Sequence, residues 1–110
     1  MAKDPDELSV LEQRIMLALI RLHPDGYGVS VQDEILERTG KNVSFGSIYA
    51  AIDRLEQRRL VVPREGEPLP ERGGRRKVYF TVTVEGRRAL AEAMTALDRL
   101  RDGIPDGVPA

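Results

Sequence analysis

The 110-residue chain has no cysteine, no tryptophan and a single histidine, His23. Without cysteine there is no disulfide framework, no thiolate metal site and no thiol nucleophile. One histidine and no glycine-rich phosphate loop leave few parts for catalysis, so no enzyme, cofactor or metal site is expected. Asp33, Glu34 and Glu37 lie between polar residues with no partner histidine and read as a solvated helix face. Long apolar runs are missing as well. The longest, residues 15–20, is far too short to cross a bilayer. The opening "MAKDPDE" is charged where a secretory leader would turn apolar, so a cytoplasmic location is expected. A chain of this length buries about two-thirds of its unfolded surface, enough for one modest core.

Nor is there an excess of either charge overall, since the formal net charge is −1. Its distribution is uneven. Residues 1–44 hold 5 basic and 8 acidic groups, residues 45–77 hold 8 and 5, and residues 78–110 hold 4 and 5. The densest cluster is Arg72, Arg75, Arg76 and Lys77, set around two glycines and just ahead of an alternating apolar run. A basic centre between acidic flanks points to a local anionic partner, although the overall balance does not.

"LSVLEQRIMLALIRLH" predicts a first helix, with Ser9 and Glu12 at capping-box spacing. It is apolar almost all round, so it is expected to pack on two sides, one of them a candidate contact with another subunit. "HPDGYG" is a turn. "VSVQDEILERTG" predicts a second helix, with Val31 and Ile35 inward, Leu36 flanking and Gly40 as the stop. "VSFGSIYAAIDRLEQRRL" predicts a third, N-capped by Ser44. Ile48, Ala51, Ile52 and Leu55 recur at core spacing. The opposite face then carries Gly46, Ser47, Ala50, Asp53, Arg54 and Gln57, with Tyr49 at its edge. Its first half is unusually small, so it can approach another surface closely; a plain solvated face is the alternative.

"LVVPREGEPL" and "RKVYFTVT" predict two strands, the second with Val78, Phe80 and Val82 on one face. "PLPERGG" between them is too long for a tight hairpin turn and should protrude. Thr83 is expected to cap a last helix in which Leu90, Met94, Leu97 and Arg101 form a stripe, flanked by Ala89, Ala93, Ala96 and Leu100. The order is helix, helix, helix, strand, loop, strand, helix. That is α+β, mainly α: a winged helix-turn-helix of three helices and a two-stranded wing, plus a C-terminal dimerisation helix. Residues 1–83 are assigned to a DNA-binding domain, 84–102 to the dimerisation helix and 103–110 to a flexible tail.

In such a fold the third helix presents its small face and N-terminal amides to the major groove, and the wing reaches the backbone or minor groove. The residues expected at DNA are Ser44, Gly46, Ser47, Tyr49, Ala50 and Arg54 on the helix, and Arg72, Arg75, Arg76 and Lys77 on the wing. Two alternatives stand beside this. The basic loop can serve only to keep an exposed hairpin from aggregating. The fold can also be a protein–protein module docking on an acidic partner. For Tyr49, packing between helix and wing competes with DNA contact. Asp53 is repelled by phosphate and is expected to pair with a neighbouring basic residue or orient a side chain rather than contact DNA. His23 reads as a helix-end residue, and Tyr27 as a packed turn aromatic.

"YGVSVQDEI", "VSFGSIYAAIDRLEQRRLV", "GGRRKVYFTVT" and "TVEGRRAL" resemble the PadR family. The resemblance spans roughly residues 8–100. Its most specific parts are Gly46 and Tyr49 followed by "RLE" at residues 54–56, and Tyr79–Phe80 leading to Thr83 and Gly86. It implies a homodimeric, ligand-responsive transcriptional regulator, usually a repressor, of the short subfamily with one C-terminal helix. Phe45 stands where the family often has proline, Arg59 where the third helix usually ends in glycine, and Val84 where proline often starts the last helix. Without tryptophan, the aromatic sandwich with which some relatives hold flat ligands is not expected. Dimerisation is placed on the first and last helices, through Leu11, Ile15, Leu19, Leu90, Met94, Leu97 and Leu100. The partners are then double-stranded DNA with a roughly palindromic operator, a second copy of the chain, and a small-molecule effector of unknown identity.

Overall fold

The six elements run α1 (Val10–Leu22), α2 (Gly28–Thr39), α3 (Phe45–Gln57), β1 (Val61–Pro68), β2 (Arg76–Val82) and α4 (Val84–Arg101). The computed structural model describes residues 7–68 and 76–105, without the side chains of Pro68 and Arg76. The predicted α+β, mainly helical architecture is the observed one. Among the described residues no helix is long and apolar enough to cross a membrane.

Three of the four helices, α1, α3 and α4, start where a short polar side chain precedes the apolar pattern. Ser9 Oγ accepts from the Glu12 amide at 3.1 Å, and Glu12 Oε1 accepts from the Ser9 amide at 2.7 Å, which completes the capping box of α1. Ser44 caps α3 and Thr83 caps α4 in the same manner. Gly40 ends α2 with φ 73°, the left-handed value that glycine adopts without penalty.

α1 lies at the centre and touches α2, α3, β2 and α4. Most of its apolar surface is thereby covered within the protomer, although Val10 and Leu17 stay exposed. Ile15, Met16 and Leu19 are fully enclosed, together with Val31 of α2 and Ile48, Ala51, Ile52 and Leu55 of α3. Ile15 and Leu19, and Leu90 of α4, which the sequence offers for dimerisation, all lie in the protomer's own core. Leu11 is half-buried against that core.

β1 and β2 form one antiparallel pair, from Val61 opposite Val82 to Glu65 opposite Val78. Between Glu65 and Pro68 the register shifts, with one more residue on β1 than on β2, the geometry of a bulge. Phe80 and Val82 are buried, whereas Val78, farther out along the wing, is 38% exposed. The connection at residues 69–75, expected to protrude, lies outside the described residues, as does the tail at 106–110.

The junction of α3, β1 and α4 is close-fitted. Arg59 takes φ 60° in the place where a glycine is usual, at a cost of about 1–2 kcal/mol. Thr83 Oγ1 donates to Arg59 O at 2.8 Å, and the Thr83 amide donates to Leu60 O at 3.0 Å. Gly86 packs on the same segment: a Cβ there would stand 2.2 Å from Leu60 O. α4 is thus held by its first turns. Beyond Leu90 no residue of it is buried. After α4 the chain turns at Gly103, and the Ile104 amide donates to Arg101 O at 3.0 Å.

Candidate nucleic-acid interface

The outward face of α3 is the one its sequence marks. Gly46, Ser47, Ala50, Asp53, Arg54 and Gln57 are all exposed. A Cβ at Gly46 would meet only Ser44 Oγ, at 4.0 Å. The protomer's own packing therefore does not require a glycine there, and the space above it is open. Upstream, Gln32 Nε2 donates to Val43 O at 2.8 Å and fixes the approach to α3. α1 and α2 are joined beneath by Glu34, which takes Arg21 Nε at 3.1 Å and also pairs with Arg38. Those two guanidinium groups, Arg38 foremost, hold the Glu34 carboxyl below its ordinary value. Glu34 is therefore a link between helices rather than part of a solvated face.

The predicted helix residues differ in how free they are. Ser44 Oγ accepts from the Ser47 amide at 3.1 Å and donates to Ser47 Oγ at 3.0 Å, so its hydroxyl serves the cap. Ser47 is the member of the pair left to face outward. The Tyr49 ring lies over the start of α2, since a Cβ at Gly28 would fall 2.1 Å from Tyr49 Oη. It packs on α2, and the residue remains 45% exposed. Arg54 is half-exposed, with its Nε 3.6 Å from Oε2 of Glu12 on α1.

At the wing, Lys77 is engaged within the protomer. Its Nζ sits 4.5 Å over the centre of the Tyr27 ring and 3.4 Å from Tyr27 Oη. Tyr27 meets Tyr79 edge to face at 5.8 Å, and the Arg64 guanidinium lies 4.7 Å over the Tyr79 ring. Arg64 also donates to Pro24 O at 3.1 Å, and the Phe80 amide to Gly26 O at 2.9 Å. Lys77 is thereby part of a clamp that ties the base of the wing to the α1–α2 turn. Gly66, at the bulge, lets Tyr79 lie flat: a Cβ there would be 2.6 Å from Tyr79 Cε2. Arg72 and Arg75 fall outside the described residues, and of Arg76 only the backbone is described, paired with Pro68.

Sequence reasoning did not single out Arg64, Lys41 or Phe45 for this face. Lys41 is exposed just before α3, and Phe45 is 42% exposed at its first position. Their signal was proximity to the Ser44 cap. Among the described residues no cluster of three or more His, Cys, Asp or Glu side chains has the arrangement of a metal site.

The model of the transcriptional regulator PadR-like family matches residues 16–92. The sequence has no match among curated proteins. Among solved structures, the fold is similar to a PadR family transcriptional regulator from Eggerthella lenta at 27% identity, with 86% of this chain and 84% of that one covered and a TM-score of 0.66. It is similar to a PadR-like transcription factor from Bacteroides fragilis at 23% identity, with 86% and 85% covered and a TM-score of 0.71. A PadR family regulator from Clostridium difficile is 22% identical, with 84% and 91% covered and a TM-score of 0.69.

Proposed function

The chain belongs to the PadR-like family of transcriptional regulators, and from that premise we propose that it binds duplex DNA as a homodimer and acts as a repressor. The observation that carries the reading is the outward face of α3, where Gly46, Ser47 and Ala50 are exposed and the space over Gly46 is open. Such a face enters a major groove without steric penalty, and the amides of its first turn suit a phosphate. Residues 1–83 are the DNA-binding part, and the arginines of the wing supply phosphate contacts. With few base-reading side chains on the helix, DNA shape contributes to selectivity.

The second half of α4 supports the dimer. Met94, Leu97 and Leu100 are 42%, 54% and 76% exposed, a row of large apolar side chains that their own protomer covers only in part. Beside them, α4 and the start of α1 enclose a groove of about 780 Å³ lined by Leu8, Val10, Ala93 and Leu97, among others. Residues 84–102 are thus the dimerisation helix. A two-fold dimer sets the recognition helices about 34 Å apart and selects a near-palindromic operator. An effector entering the groove would act by changing how the two copies meet. The protein would work in the cytoplasm, where its operator is.

The net charge of −1 favours one rival, a winged-helix module that docks on an acidic protein. Arg75→Glu with Arg76→Glu separates the two. For a DNA binder, the substitution weakens all sequences alike and lowers the salt slope by about one unit per lost contact. Unchanged affinity and slope would remove the wing from the DNA interface.

A further inference from the structure

Glu12 is the one charged side chain buried among the described residues, at 5% exposure. Its role in the capping box accounts for only one of its oxygens, Oε1, which receives the Ser9 amide at 2.7 Å. Glutamine completes such a box as well as glutamate does, so the cap does not call for a charge. Burying a carboxylate is costly unless a cation answers it. The cation is on the recognition helix: Oε2 lies 3.6 Å from Arg54 Nε.

The pair is a poor stabiliser of the fold. Arg54 is 53% exposed and the separation exceeds hydrogen-bond distance, a geometry worth little in water. Its effect falls instead on the arginine. The closest approach is through Nε, not through the Nη fork, which is the part that fits a phosphate or the edge of guanine. We propose that Glu12 is a positioning residue for the recognition helix, holding Arg54 by its Nε side so that its Nη fork is aimed outward before nucleic acid arrives. The inference rests on the DNA-binding reading above. An arginine already held gives up less side-chain freedom on binding than one free to rotate.

The test pairs Glu12→Gln, which keeps the capping oxygen, with Arg54→Ala and the double variant. The probe is the best duplex that the wild-type protein recovers from a random 30-base-pair pool. Glu12→Gln should weaken binding about three- to tenfold. In the Arg54→Ala background it should change nothing further. An equal loss in both backgrounds, or tighter binding of all duplexes by Glu12→Gln, overturns the proposal. The first outcome would make Glu12 a general structural residue, and the second an anionic brake. Side-chain ¹⁵N relaxation of Arg54 Nε in the free protein gives a readout that needs no DNA. It should report an ordered group in wild type and a looser one in Glu12→Gln; equal mobility in the two overturns the proposal. Failure to recover any enriched duplex would sink the DNA-binding reading, and the relaxation result would still decide whether Glu12 holds Arg54.

Discussion

α1 and α4 look alike in sequence and behave differently in the fold. Both carry leucine, alanine and methionine at helical spacing, and both were candidates for a dimer surface. α1 has Ile15, Met16, Ala18 and Leu19 enclosed by its own chain, whereas α4 has only Gly86 and Leu90 buried in its 18 residues. The difference lies in surroundings. α1 runs through the middle of the layers, while α4 is anchored at Thr83 and Gly86 and then leaves the core. An apolar stripe states that a residue seeks cover, not whether its own protomer or another copy provides it.

The comparison breaks most visibly at Ile15. Ile15→Ala leaves a cavity in the centre of the protomer and should cost about 2–5 kcal/mol. Denaturant unfolding should give that loss at every protein concentration. A loss that appears only in dilute solution would return Ile15 to the interface. On α4, Leu97→Glu with Leu100→Glu should weaken self-association at least about a hundredfold, near 2.7 kcal/mol, with helix content retained. Light scattering against concentration reads this directly, and an unchanged mass would place the dimer surface elsewhere. The anchored start of α4 should behave like α1 instead. Gly86→Ala drives a methyl group into Leu60 O and should cost about 1–3 kcal/mol in thermal unfolding, with no change in self-association beyond what unfolding causes.

The smallest effect concerns the link between α1 and α2. Because its arginines hold Glu34 below its ordinary value, near 4.5, the ionised carboxylate favours the folded state. That contribution is present at neutral pH and is lost as pH falls through the ordinary carboxylate range and below. Glu34→Gln should lack this part of the acid dependence. Parallel acid titrations of stability in the two proteins would contradict the assignment.

Local signals were legible in the sequence. Ser9, Ser44 and Thr83 cap the helices they were expected to cap, and Gly40 ends α2. Ile48, Ala51, Ile52 and Leu55 are buried as their spacing requires. Each of these is decided within one or two turns of chain. What escaped the sequence depends on groups that folding brings together from far apart. The contact of Lys77 with the Tyr27 ring joins residues fifty positions apart, which no local pattern announces. Arg54 faces outward as expected, yet its restraint comes from Glu12, which had been read only as a cap. Ile15 and Leu97 are equally apolar, and only the packing of α1 between four other elements separates them.

The proposed function stands or falls with a DNA-binding surface made by the exposed face of α3 and the wing. Its most direct test is binding of the purified protein to DNA from upstream of its own gene, against scrambled DNA of equal length, over a salt series. A DNA-binding surface of this kind should give a preference of about 10³ or more together with a steep loss of affinity as salt rises. Weak binding with no preference and a flat salt response would contradict it.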